Sequence, residues 1–304
     1  MFHFLSRLLP KEEINKLMKS VMSNEVYSYN GTSEYFNELK NLPKFSSVTN
    51  FLDHWTGEVD VHLLDLKDEA STKKVSTHEA MSYYDQGMGL LFNDLNLFDE
   101  KMQDDLNRLC GDFGVSRATM SRNLVYATPK GGGTATHFDQ NINLVLQLKG
   151  RKSWWLKENE CVRNPLTRHT LGTISDPELS SYIDSPFPDS IKYDEEYELS
   201  EGSLLFVPKG HWHKTHAHDD SLALNFTFSL PSWVDILSMA LRARLIQSEY
   251  WRDSVIGLNS ETSAKEKLSL FETLLDSLKS DIQSWDAGEI LSFIEFSEGE
   301  ESNE

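Results

Sequence analysis

The eight residues Asn141-Ile142-Asn143-Leu144-Val145-Leu146-Gln147-Leu148 alternate polar with aliphatic side chains almost without a break, and this period of two constrains the chain more than any other stretch. Successive strand side chains point to opposite faces, so the segment must be a strand with one apolar face and one largely polar face. Leu222-Ala223-Leu224-Asn225-Phe226-Thr227-Phe228 repeats the pattern, with Ala223, Asn225 and Thr227 opposite the large apolar side chains. Strand-like runs separated by Gly, Pro, Asn and Asp extend from about 120 to 230, which predicts an antiparallel barrel or sandwich. A polar face turned inward implies an internal pocket in place of a solid core.

The polar parity of 141–148 is shared by His137 and Asp139 in Thr134-Ala135-Thr136-His137-Phe138-Asp139-Gln140. On one strand face these two project about 6.6 to 6.8 Å apart along the strand, close enough for both to reach one ion. A third ligand must come from elsewhere, and His213 is the best placed, at the end of Leu204-Leu205-Phe206-Val207-Pro208-Lys209-Gly210-His211-Trp212-His213. Two histidines and one carboxylate occupy one face of an octahedral ion and leave positions open, an arrangement that suits non-haem Fe(II). The glycines at 131–133 permit close backbone approach just before the strand.

Chance and zinc binding each account for part of this pattern. A His-x-Asp triplet arises readily in alternating strands, and a structural zinc could use the same three groups. Such zinc sites usually take four protein ligands and favour Cys, and no cysteine lies near the motif. His211, His216 and His218 crowd the same turn, as exposed loop histidines or as groups that support ligands or face a substrate. In Lys149-Gly150-Arg151-Lys152-Ser153-Trp154 an inward Lys152 would be costly unless paired, and an organic acid could supply the carboxylate. An ordinary basic hairpin turn accounts for the same residues, with Arg151 facing solvent by parity.

Flanking this region the periodicity is helical. Ile14, Leu17, Met18, Val21 and Met22 predict an amphipathic helix over 11–23, started by Pro10. Short helices are expected at 33–39 and 47–55, a strand at 60–66, a helix opening at 77 and breaking near Gly87, and a helix over 99–113. After Pro231 the chain turns helical again at 233–251, 264–278 and 288–296. The expected division is therefore an N-terminal α/β region (1–119) supporting the barrel, the barrel itself (120–230), and a C-terminal helical region with an acidic tail (231–304). Residues 158–198, rich in Pro and Asp, show little periodicity and read as a lid or substrate-contact loop.

Charge narrows the function. A net charge of -19 argues against a broad phosphate-binding surface, so free nucleic acid is not an expected partner; a basic polypeptide would be attracted, although acidity of this size is more commonly a solubility feature alone. The two cysteines, Cys110 and Cys161, lack metal-site or CxxC spacing and read as reduced thiols. No apolar run approaches the roughly 18 residues needed to span a bilayer, and a cytoplasmic location is expected.

Taken together, Gly131-Gly132-Gly133, His137-Phe138-Asp139-Gln140, Leu148-Lys149-Gly150-Arg151-Lys152-Ser153-Trp154, and Glu201-Gly202-Ser203-Leu204-Leu205-Phe206-Val207-Pro208-Lys209-Gly210 with His213 resemble the JmjC-type, cupin-like 2-oxoglutarate oxygenases. Within them the similarity is greatest to the bacterial ribosomal-protein hydroxylases, over about residues 85–255. The resemblance implies a double-stranded β-helix (jelly-roll) barrel with N-terminal helices and a C-terminal helical region that dimerises. It implies Fe(II) at His137, Asp139 and His213. It also implies 2-oxoglutarate as co-substrate, its distal carboxylate held by a basic residue fifteen positions after the first ligand histidine, which is Lys152 here. Asn225 matches an Asn near the co-substrate, and Asn143 and Thr134 match polar pocket positions. The implied activity is hydroxylation of a protein or peptide side chain, with a basic ribosomal protein as partner. Neither residues 158–198 nor Lys214-Thr215-His216-Ala217-His218 match a known substrate pocket, so the substrate does not transfer. Hydroxylation of a peptide natural product or free amino acid, and a non-catalytic cupin-like metal-binding module, stay open. A demethylase is disfavoured, because no chromatin-reader or basic segment accompanies the barrel.

Overall fold

The computed structural model describes residues 2–65, 67–116, 118–256, 258 and 261–292. The acidic tail and positions 293–296 of the last expected helix lie outside them, as does position 66 of the expected strand at 60–66. The strands are β1 (Tyr27–Tyr29), β2 (Val59–His62), β3 (Thr72–Val75), β4 (Gly89–Phe92), β5 (Met120–Thr128), β6 (Gly133–Phe138), β7 (Ile142–Lys149), β8 (Lys152–Lys157), β9 (His169–Thr170), β10 (Glu195–Leu199), β11 (Leu204–Val207), β12 (Trp212–Ala217) and β13 (Ser221–Ser229). They form an eight-stranded sheet in the order β1-β11-β7-β13-β5-β4-β2-β3 and a five-stranded sheet in the order β10-β8-β12-β6-β9. All the pairings are antiparallel. This is the antiparallel double-stranded β-helix that the alternation and the resemblance lead one to expect.

The period of two in β13 explains how the large sheet is covered on both faces. Phe226 lies against Phe4 and Tyr35 (ring centroids 5.9 and 6.5 Å) and Phe228 against Phe113 (5.3 Å), so this face is sealed by the N-terminal segments. Each buried phenylalanine contributes about 1.5–3 kcal/mol. Ala223 and Asn225, on the opposite face, line an internal cavity. β7 is central in the same sheet, and seven of its eight residues are buried, including the polar Asn143 and Gln147. Between the sheets Val145, Leu156, Leu199, Leu205, Val207 and Ala223 form an apolar cluster, so the interior is partly core and partly pocket.

The N-terminal helices fall at Lys11–Ser23, Glu34–Lys40, Val48–His54, Thr77–Asp85 and Glu100–Phe113, close to their expected places. Ser76 and Glu79 form a reciprocal cap on the helix from Thr77, and Gly87 follows its end with a φ of +90°. Two expectations change. The strand expected over 60–66 stops at His62 and turns through residues 64 and 65, delivering the next loop toward β6, where the Ala135 N–H donates to Lys67 O at 3.4 Å. Residues 158–198 are folded, not merely a surface loop. They add β9 to β6, a short helix at Pro177–Ser180 and the strand β10, and they bury Val162 and Leu179 against Phe138 and Trp212.

By contacts the chain divides into two compact units, Met1–Gly114 with Thr119–Leu230, and Val115–Ala118 with Pro231 onward. The second contains helices at Trp233–Leu245, Glu249–Arg252, Glu261–Ile282 and Ala287–Ser292. Within it Arg244 pairs in a fork with Asp281 (Nε–Oδ2 2.9 Å, Nη2–Oδ1 2.7 Å), which also accepts from Trp285 Nε1 at 3.0 Å.

One glycine fixes how close the two strands that carry the histidines come. A Cβ built on Gly133 would lie 1.9 Å from the carbonyl oxygen of Thr215, so β6 and β12 could not keep their spacing with any side chain there. Gly133→Ala is expected to destabilise the fold by about 1–3 kcal/mol, toward the upper end because backbone must move. Denaturant unfolding of the variant beside the parent checks this; an unchanged midpoint would refute it.

Candidate metal and co-substrate site

The pairing of β6 with β12 sets His213 directly opposite His137, with their ring centroids 4.1 Å apart. Asp139 follows the end of β6 and turns its carboxylate toward both rings, with Oδ1 4.0 Å from His137 Nε2 and Oδ2 3.8 Å from His213 Nε2. One donor atom from each of the three lies within 4.8 Å of the others, the sole group of three or more His, Cys, Asp and Glu among the described residues that could hold an ion.

The tautomers favour a metal. His137 Nδ1 lies 2.8 Å from Ala135 O and His213 Nδ1 lies 2.9 Å from His211 O. A carbonyl only accepts, so each Nδ1 carries the proton and each Nε2 lone pair is left facing the common centre. Burial, reinforced by neighbouring His137, holds the His213 pKa well below the ordinary histidine value, which keeps that ring neutral and able to donate. Burial works against charge on Asp139, but its neighbours, among them the Arg168 guanidinium, more than offset it and keep its carboxyl below the usual range. Metal bonds of about 2.1 Å bring donors at right angles to roughly 3 Å, so small side-chain rotations close the set on an ion. Two imidazoles and a carboxylate, with no thiolate, fit Fe(II).

Beside the three donors is a cavity with about 470 Å³ of space free of atoms, its mouth included. Lys152, Thr134, Asn143 and Asn225 all line it, so the sequence-derived site residues meet in one place, and Trp154 lines it beside them. Lys152 is only 3% exposed, and its Nζ donates to Thr128 Oγ1 at 3.0 Å. Its other near neighbours are the rings of Trp154 (5.6 Å) and Tyr126 (6.0 Å). Among the described residues no carboxylate pairs with it, and burial lowers its pKa to about 8. Trp154 Nε1 and Asn225 Oδ1 are likewise buried without partners. A cavity that presents a cation and a free N–H is shaped for an anionic, oxygen-rich small molecule. Asn143 Nδ2 lies 3.4 Å from Asp139 Oδ2, and its Oδ1 accepts from Thr227 (2.7 Å) and Asn225 (3.1 Å).

The neighbouring histidines differ from one another. His211 is buried, not an exposed loop residue, because its carbonyl must reach the His213 ring; His216 is exposed; His218 bonds Ser153 Oγ at 2.8 Å. Arg151 faces solvent and pairs with Asp219 at 2.9 Å, as parity requires. Sequence reading missed three elements. Trp154 could have been found, since it shares the inward parity of Lys152. Tyr126, on β5, and the group of Asp68, Arg168 and Thr170 beside Asp139 had no such signal, because their segments carry no usable periodicity or reach the site only through the fold.

An isolated buried ammonium is a cost to the ligand-free protein. With a folded pKa near 8 against an ordinary 10.5, the unfolded chain binds more protons between those values, so this group makes stability rise with pH across that window. Lys152→Met is therefore expected to stabilise the ligand-free protein at pH 7 by on the order of 1–3 kcal/mol, the advantage shrinking from pH 8 to 10.5. Paired unfolding curves at pH 7 and pH 10 test this, and a variant that is less stable at pH 7 would count against an unpaired cation.

The family model described as JmjC domain matches residues 95–236. The protein YxbC of Bacillus subtilis (strain 168), itself described as uncharacterised, is 31% identical over 263 residues, 84% of this chain and 80% of that protein. Ribosomal oxygenase 1 of Danio rerio is 29% identical over 168 residues, 54% of this chain but only 28% of that protein's length. Among solved structures, YcfD, described as a ribosomal oxygenase from Escherichia coli in complex with cobalt and 2-oxoglutarate, is 14% identical with a TM-score of 0.43, over 83% of this chain and 64% of that one.

Proposed function

This chain belongs to the JmjC family, and on that premise we propose that it is an Fe(II)- and 2-oxoglutarate-dependent oxygenase that hydroxylates a protein or peptide side chain. The observation that carries the reading is that a single cavity holds both a three-donor metal face and a buried cation without a counter-ion. A non-catalytic metal module accounts for the first of these and leaves the second as an uncompensated cost. His137, Asp139 and His213 would hold the iron, and Lys152 the distal carboxylate of 2-oxoglutarate, with Thr134, Asn143 and Asn225 setting the polar wall. Iron, 2-oxoglutarate and oxygen together convert a C–H bond to C–OH, with succinate and carbon dioxide leaving. The chain's own part is to fix the imidazole tautomers, hold the carboxylate between them, and present the buried ammonium to a carboxylate.

For the substrate, the reading is a basic polypeptide such as a ribosomal protein. The charge of -19 favours encounter with a cationic chain, and one relative carries the name ribosomal oxygenase. Homodimerisation is supported by the helix Trp233–Leu245, which has no buried residue and leaves Trp233 and Val234 76% and 63% exposed. Apolar surface of that kind is usually covered by a partner. No helix among the described residues is long and apolar enough to cross a membrane, and a cytoplasmic location is proposed.

Succinate formation from 2-oxoglutarate with Fe(II) is the direct test. Asp139→Ala is expected to abolish it, and Lys152→Ala to weaken 2-oxoglutarate binding about 10- to 150-fold, as loss of a bond to a charged group predicts. Full turnover in both variants would remove the proposal. Comparison of ribosomal proteins from cells with and without the gene should show the loss of one oxygen mass on one of them; turnover only with a small peptide or amino acid would transfer the activity to that substrate class. In light scattering, Trp233→Glu with Leu237→Glu is expected to halve the mass of the particle, and a parent that is already monomeric would exclude the dimer.

A further inference from the structure

The folded segment at 158–198 brings one cation to the metal face. Arg168 Nη2 donates to Asp68 Oδ1 at 2.6 Å, while Nε makes a long contact of 3.5 Å with Asp139 Oδ1 and lies 3.9 Å from Glu69 Oε2. Asp68 is 1% exposed and is itself held on both oxygens. Arg168 and the Glu69 N–H (2.6 Å) reach Oδ1, and the Thr170 hydroxyl donates to Oδ2. Thr170 stands opposite His137 in the β9–β6 pairing, Leu171 N–H donates to Thr136 O at 2.9 Å, and the loop carrying Asp68 is bonded to β6 through Lys67 and Ala135. The two segments that hold Arg168 are therefore both anchored on the strand that supplies His137.

We infer that Arg168 is a positioning residue for the metal site: its guanidinium braces the Asp139 carboxylate against the fixed carboxylate of Asp68. Among the described residues Arg168 is the side-chain donor on Asp139 Oδ1, at a long 3.5 Å, while Asn143 reaches Oδ2 at 3.4 Å. With a brace on each oxygen, rotation of the carboxylate about its own axis is restrained, and it stays between His137 Nε2 and His213 Nε2. A planar fork of donors can span two carboxylates, which the single ammonium of a lysine at the same site cannot do with the same geometry. Residues 158–198 thus help to set the geometry of the metal ligands.

Charge and positioning predict different outcomes when the net charge beside the ion is kept, which makes the inference testable. A pure charge effect then leaves metal affinity unchanged, whereas loss of the brace loosens binding. The inference rests on the metal site proposed above, so the first measurement is Co(II) affinity of the whole protein by competition with a chromophoric chelator. Binding by the parent that is lost in Asp139→Ala establishes the site; binding that survives in Asp139→Ala overturns that site and the inference with it. Arg168→Lys keeps the charge and the pairing with Asp68, and is expected to bind Co(II) about 10- to 100-fold more weakly and to shift the visible Co(II) spectrum. The double variant Asp68→Asn with Arg168→Gln removes one charge of each sign and so keeps the net charge beside the ion. Because that net charge is unchanged, it is expected to show the same loss only if the brace matters, and it decides the matter if Arg168→Lys does not fold. Affinity and spectrum equal to the parent, or tighter binding, in the variant that folds would overturn the assignment.

Discussion

The register between β6 and β12 is the constraint on which the rest of the structure depends. His137 and His213 come from positions 76 residues apart in the sequence and meet only because they are cross-strand partners. A slip of one residue would turn one imidazole out of the cavity. Gly133 and Thr215 define the close approach at the far end of the same pairing, and the register shift between His213 and Thr215 lets the strand adjust without moving the histidine. β8 and β9 flank this pair within the five-stranded sheet, and so carry Lys152, Trp154 and Thr170 to the same region.

Burial of charge is the second organising fact. A metal face of two imidazoles and one carboxylate is made tolerable by backbone carbonyls on the Nδ1 side and by Asn143 and Arg168 on the carboxylate. Lys152 has no such help beyond Thr128 and two aromatic rings. The proposed co-substrate role of Lys152 rests on this contrast, within one cavity, between a compensated cluster and a cation with no carboxylate partner among the described residues.

Residues 158–198 change character when seen in three dimensions. Their apolar positions Val162 and Leu179 pack on Phe138 and Trp212, the residues next to the proposed ligands His137 and His213. Arg168 then reaches across to Asp68 from the N-terminal region, so three distant parts of the chain converge on one carboxylate. The site belongs to the whole first unit and is not confined to the barrel strands.

The sequence alone determined what short-range rules can read. The period of two in β7 and β13 set the strands and their inward faces, the capping and glycine signals placed the N-terminal helices, and the His-x-Asp triplet with Lys152 marked the inner face of the site. These features are legible because side-chain direction in a strand or helix repeats along the chain itself. Only the tertiary structure decided that Asp68 and Arg168 sit together beside Asp139, that the strand expected over 60–66 ends at His62, and that His211 is buried. Those outcomes rest on contacts between segments roughly 30 to 100 residues apart, whose strength comes from desolvation and charge pairing after the sheets close, and nothing in a local pattern encodes them.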